Sequence, residues 1–87
     1  MTQRRTTLED EVRRGLTELQ TVRDEIRVNL HLAAMDAKDK WAELEPRVES
    51  VKAFAREATS AARDEIRDLA RRARVVRDAI RDSKKPS

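Results

Sequence analysis

The chain has 87 residues, 43% of them charged and 38% hydrophobic, with a net charge of +3 and no cysteine. That length admits one domain at most, and the missing cysteines exclude disulfides, zinc-thiolate clusters and thiol chemistry. So little apolar mass predicts no adequate private core for a lone chain, and therefore burial against further copies.

Residues 1–6 are expected to be disordered, and Thr6 followed three residues later by Glu9 reads as a capping box that starts a helix near Thr7. From there apolar residues recur at steps of three or four: Leu8, Val12, Leu16, Leu19, Val22, Ile26, Leu30, Ala33, Ala37, Trp41, Leu44, Val48, Val51, Ala55, Ala58, Ala62, Ile66, Leu69, Ala73, Val76 and Ile80. Twenty steps cover 72 residues, or 3.6 per step, which is the α-helical period and incompatible with the alternation of a strand. The fold class is all-α, with residues 7–82 forming a helical coiled-coil or bundle region and 83–87 a disordered tail.

Between those limits the only glycine is Gly15 and the only proline is Pro46. Proline lacks an amide hydrogen and crowds the carbonyl four residues back, so a break or kink is expected near residue 46. The stripe passes through Pro46 in phase and no Gly or Asn stands there to turn the chain. The favoured architecture is one long kinked amphipathic helix of about 110 Å. Its alternative is a helical hairpin reversing between Ala34 and Pro46. Either form assembles as an antiparallel coiled coil or four-helix-type oligomer.

The stripe widens at Val28, Leu32, Ala34 and Met35, which predicts more than one packing neighbour, and narrows at Ala53, Ala55, Ala58, Ala61 and Ala62, where helix axes can approach closely. The expected interface between copies comprises Leu16, Leu19, Val22, Ile26, Leu30, Trp41, Leu44, Val48, Val51, Ile66, Leu69, Val76 and Ile80. Charge supplies an orientation. Residues 1–45 carry eight basic and ten acidic side chains, net −2, whereas residues 46–87 carry twelve and seven, net +5. The first half should lie against the second, within a chain or between antiparallel chains.

Candidate chemistry is sparse. His31 has no carboxylate one helical turn away, and a Glu-x-x-His pair would need an acid where Val28 stands. Asp36, Asp39, Glu43 and Glu45 read as a solvated acidic face, and Trp41 as a packing anchor. No Ser/His/Asp or Cys/His arrangement is available for nucleophilic catalysis, so neither enzyme activity nor a cofactor or metal is expected. Arg71, Arg72, Arg74 and Arg77 form an acid-free run that can meet the phosphates of nucleic acid or an anionic membrane. Nowhere do eighteen apolar residues follow one another, and no apolar run follows Arg4 and Arg5. Neither a membrane span nor a signal peptide is therefore predicted, and a cytoplasmic location is expected.

The segment Arg27-Val28-Asn29-Leu30-His31-Leu32-Ala33, with Ala37-Lys38-Asp39-Lys40-Trp41-Ala42-Glu43-Leu44-Glu45 after it, resembles small uncharacterised bacterial all-helical proteins with an R-V-x-L-H-L-A…A-K-D-x-W-x-x-L-E run. About nineteen residues carry the likeness, and Pro46 stands where such proteins run helix formers. The resemblance implies a bacterial, helical, non-enzymatic protein and brings no activity with it. The reading reached is a structural or interaction module whose partner is another copy of itself, or a different helical protein. The competing class is a basic helical binder of nucleic acid or anionic membrane through the four arginines.

Overall fold

In the computed structural model, which describes residues 7–84, the chain folds back on itself twice. Helix α1 spans Leu8–Asn29, α2 Met35–Phe54 and α3 Ser60–Lys84, with single 3-10 turns at Leu30–Leu32 and Ala55–Glu57. The helices pack against one another as an up-down-up bundle whose long axis is 54 Å. Side-chain pairs fix the directions. Glu11 meets Arg63 and Glu25 meets Arg77, so α1 and α3 run parallel, whereas Arg23 meets Glu49 and Arg27 meets Glu45, so α2 runs opposite to α1.

All-helical character is thus observed, and the rod is not. The reversals fall at residues 30–34 and 55–59, neither at Pro46 nor between Ala34 and Pro46 in the form foreseen. Pro46 lies inside α2, on an exposed face. The carbonyl that its missing amide would have engaged belongs to Ala42, which is also exposed, so water can take the place of the lost bond. The position of a proline around the helix decides its cost, and this one is turned away from the core.

The links use less conspicuous chemistry than glycine or asparagine. After α1, the Ala33 amide donates to the Leu30 carbonyl at 3.0 Å, and Ala33 and Ala34 then take extended backbone conformations that any small residue accepts. After α2, Ala58 adopts the left-handed conformation, φ 46° and ψ 47°. A β-carbon there costs about 1–2 kcal/mol. Ala58→Gly is accordingly expected to raise stability by up to about 1 kcal/mol in a denaturant titration, with part of the gain lost to the freer unfolded chain. A loss of stability would mean that packing of the half-buried Ala58 methyl outweighs the backbone strain.

Threonines begin both outer helices. Thr7, rather than Thr6, caps α1 by accepting from the Asp10 amide at 3.0 Å, while Thr6 lies outside the described residues. Glu9, Asp10 and Glu11 in the first turn complement the positive end of the helix dipole. Thr59 accepts from the Ala62 amide at 3.1 Å and starts α3, which continues through Ser83 and Lys84, two residues past the expected end.

The stripe becomes the core of a single chain. Among the described residues, sixteen of the seventeen buried hydrophobic ones lie on it, Ala70 being the addition. The residues expected to meet another copy instead face one another across the three helices. Leu19, Val22, Ile26, Trp41, Leu44, Val48, Val51, Ile66, Leu69, Val76 and Ile80 are buried, and Leu16 and Leu30 pack half-buried against them. The premise that the chain is too lean for its own core is corrected by geometry. Three helices of 20–25 residues each need only one narrow face inside, and the other faces absorb the charge.

Close approach occurs between α1 and α3 at Gly15. An ideal β-carbon on Gly15 would stand 2.7 Å from Cγ2 of Ile66, so the two backbones come together where α1 has no side chain. Of the predicted slender group, Ala55 and Ala62 are buried and Ala58 half-buried, while Ala53 and Ala61 face solvent.

Candidate functional site

Each of the four arginines proposed from sequence to meet phosphate is held by a carboxylate of its own chain. Arg71 and Arg72 both bind Asp68, Arg72 through Nε at 3.0 Å. Arg74 crosses to Glu18, and Arg77 reaches Glu25 at 3.1 Å and Asp78 at 3.2 Å. Arg63 and Arg67 add contacts to Glu11 at 3.2 and 3.6 Å. Glu11, Glu18 and Glu25 are seven residues apart, which places them at one edge of α1 every two turns and within reach of a row of α3 guanidiniums. The opposite charge of the two halves is therefore realised inside one chain.

A second set joins α1 to α2. Arg27 donates to Glu45 at 2.8 Å and Glu49 at 3.3 Å, Arg23 meets Glu49 at 3.4 Å, and Lys52 meets Glu49 at 3.1 Å. Arg47 and Glu65, 2.9 Å apart, tie α2 to α3. Donation to the Glu45 carboxylate raises the pKa of the Arg27 guanidinium above its ordinary value, and donation to Asp64 and Glu11 does the same for Arg63. Exposed pairs of this kind add little stability and serve mainly to select the arrangement.

Two carboxyls are shifted downwards. The Lys52 ammonium, helped by Arg23 and Arg27, holds the Glu49 carboxyl below its usual range, and Arg71 followed by Arg72 lowers that of Asp68. A depressed native pKa means that the unfolded chain binds more protons at these sites. Their stabilisation is present above the unfolded value, near pH 4, and disappears as the pH falls through the native one. Melting temperatures should coincide at about pH 7 and pH 5 and fall below about pH 4; a rise there would contradict the pairing.

His31 is exposed at the first turn, and Asp36, Asp39 and Glu43 are exposed on α2, with Glu45 committed to Arg27. Among the described residues no group of three His, Asp or Glu side chains is gathered to hold a metal ion. No described helix is long and apolar enough to cross a membrane. Trp41 is 1% exposed, and its Nε1 is buried without a hydrogen-bond partner, so it anchors packing and offers no stacking face.

Part of what remains open to a partner is apolar. Val28, Leu32 and Met35 are 70%, 48% and 68% exposed around the α1–α2 turn, with exposed His31 and Ala34 among them. These are the residues at which the stripe widens, and the widening signals surface that the three helices do not cover. No family model, curated protein or solved structure matches this chain. A functional reading therefore rests on this surface and on the second apolar face, between α2 and α3, where Phe54 and Val75 are exposed.

Proposed function

We propose that this chain is a non-catalytic protein-interaction module that self-associates through the Val28, Leu32 and Met35 surface and not through its apolar stripe. One observation carries the reading: three large apolar side chains stand in water within eight residues of each other, at the turn where two helices meet. Grouped exposure of this kind marks contact surfaces, whereas scattered single residues do not. In sequence, both signs of charge flank the patch, Asp24 and Asp36 with Arg27 and Lys38. In a two-fold contact the patch faces itself, so opposite signs within it can meet. The ion pairs of Arg71, Arg72, Arg74 and Arg77 weigh against the phosphate-binding alternative, because an incoming phosphate must displace a carboxylate already in place.

So small a contact gives a weak, concentration-dependent dimer. Sedimentation from about 1 μM to about 1 mM should show the average mass rising towards twice that of the chain. Met35→Asp, at a position already in solvent, should remain monomeric with unchanged helical circular dichroism. A wild-type chain that stays monomeric throughout, or a Met35→Asp variant that still dimerises, refutes the proposal.

A further inference from the structure

The link between α2 and α3, residues 55–59, is built from residues that favour a helix. It contains neither glycine nor proline, and Ala55, Arg56, Glu57 and Ala58 are all strong helix formers. Ala58 is also the one residue with positive φ among those described, at 46°, so the reversal holds an alanine in a strained backbone state. Through the same link the apolar stripe keeps helical phase, by way of Val51, Ala55, Ala58 and Ala62. If residues 55–59 become helical, α2 and α3 merge into one rod over 35–84, about 75 Å long, with its apolar face unbroken and Ala58 relaxed.

We infer that the chain exchanges α3 with a second copy of itself by straightening this link, which gives an antiparallel dimer of two rods. Each α3 then lies against α1 and α2 of the other copy. No new surface has to be recognised, because Ile66, Leu69, Ala73, Val76 and Ile80 enter the same core and Arg63, Arg74 and Arg77 meet the same Glu11, Glu18 and Glu25. The seven-residue spacing of those acids fixes the register of the incoming helix as it does within one chain. Where the rods cross, the stripe residues are Ala55, Ala58 and Ala62, so no bulky stripe side chain holds them apart. The closed form is kept by the Thr59 hydroxyl, which accepts from the Ala62 amide at 3.1 Å only while α3 begins there. The first link has no such strain to release, since Ala33 and Ala34 are ordinarily extended. This exchange goes beyond the self-association of folded chains, whose stripes are sealed, because α3 must first leave its own bundle.

Wild-type protein unfolded in urea and refolded at about 1 mM is expected to yield a dimer that persists on dilution to about 1 μM, because its return to monomer requires α3 to leave the bundle. A contact between folded surfaces separates on the same dilution. Size exclusion with light scattering reads the yield, and small-angle scattering of the isolated dimer should give a maximum dimension near the rod length of about 75 Å, beyond the 54 Å axis of the bundle. Ala58→Gly relaxes the closed turn and weakens the rod at both hinges, so its yield of persistent dimer should fall about tenfold or more. Thr59→Ala removes the cap and should raise the yield. Circular dichroism verifies the fold of each variant. Met35→Asp should form the persistent dimer as the wild type does, which separates exchange from the Val28 surface.

Absence of a persistent wild-type dimer, an unchanged yield in Ala58→Gly, loss of the dimer in Met35→Asp, or a persistent dimer no longer than the single bundle overturns the inference.

Discussion

Leu69→Asp is expected to leave the chain largely unfolded at 25 °C. Leu69 lies mid-way along α3, is fully buried, and belongs to the single cluster formed by all three helices. Truncating a core leucine costs about 2–5 kcal/mol. An unpaired carboxylate in the same place adds several more, because no cation within the apolar cluster compensates it and the group must either protonate or draw in water. A bundle of this length holds roughly 4–13 kcal/mol in total. The substitution consumes most or all of that. Far-UV circular dichroism should collapse, and emission of the single tryptophan, buried at Trp41, should move to the red. Leu30→Asp provides the contrast. Leu30 occupies the same stripe but sits half-buried in the first 3-10 turn, where a carboxylate can reach solvent, so that variant should keep its helices at a modest loss of stability. Equal damage from the two substitutions would mean that the turn belongs to the cooperative core.

That contrast also marks what was legible in the sequence. Periodicity identifies the buried set almost residue by residue, because every helix of the bundle must turn one face inward and the 3.6-residue step records that face directly. It does not record where the chain reverses. The step count runs through both links without a slip: Leu30, Ala33 and Ala37 span the first and Ala55, Ala58 and Ala62 the second. Short links that contain a 3-10 turn preserve the phase a continuous helix would have had. Loop punctuation was equally quiet, since Ala58 occupies the left-handed position where glycine would have announced it. The available signal was Thr59, whose hydroxyl caps the start of α3 as that of Thr7 caps α1. Pro46, the loudest residue for breaking a helix, was tolerated because it faces water. The arginine run was legible as a composition but not as a ladder. Asp68, the partner of Arg71 and Arg72, lies within one turn, but the acids that meet Arg74 and Arg77 across the bundle lie more than fifty residues earlier, and only the parallel docking of α1 on α3 brings Glu18 and Glu25 to them.

The only glycine of the chain is the second place where a large effect is expected. In an ordinary exposed helix, Gly15→Ala would stabilise by about 1 kcal/mol through helix propensity. Here the added methyl meets Cγ2 of Ile66 at 2.7 Å, and that atom is attached to the β-carbon of a fully buried, β-branched side chain with little rotameric freedom. To make room α1 and α3 must separate, which loosens packing from Val12 to Ile26 and lengthens the Glu11–Arg63 and Glu25–Arg77 contacts. Overpacking of this kind costs about 1–3 kcal/mol and outweighs the propensity gain, so Gly15→Ala should destabilise and Gly15→Leu should do so severely. The cause is checked by removing the opposing branch. Ile66→Leu keeps the volume but has no γ2 methyl, and alone it should cost less than about 1.5 kcal/mol. In the double variant Gly15→Ala/Ile66→Leu the alanine no longer collides. Its helix propensity is then recovered, and the double-mutant cycle should return a favourable coupling of about 1 kcal/mol or more from urea titrations. Strict additivity would place the penalty of Gly15→Ala in the backbone of α1, and the close approach of the two helices would not be what requires glycine there.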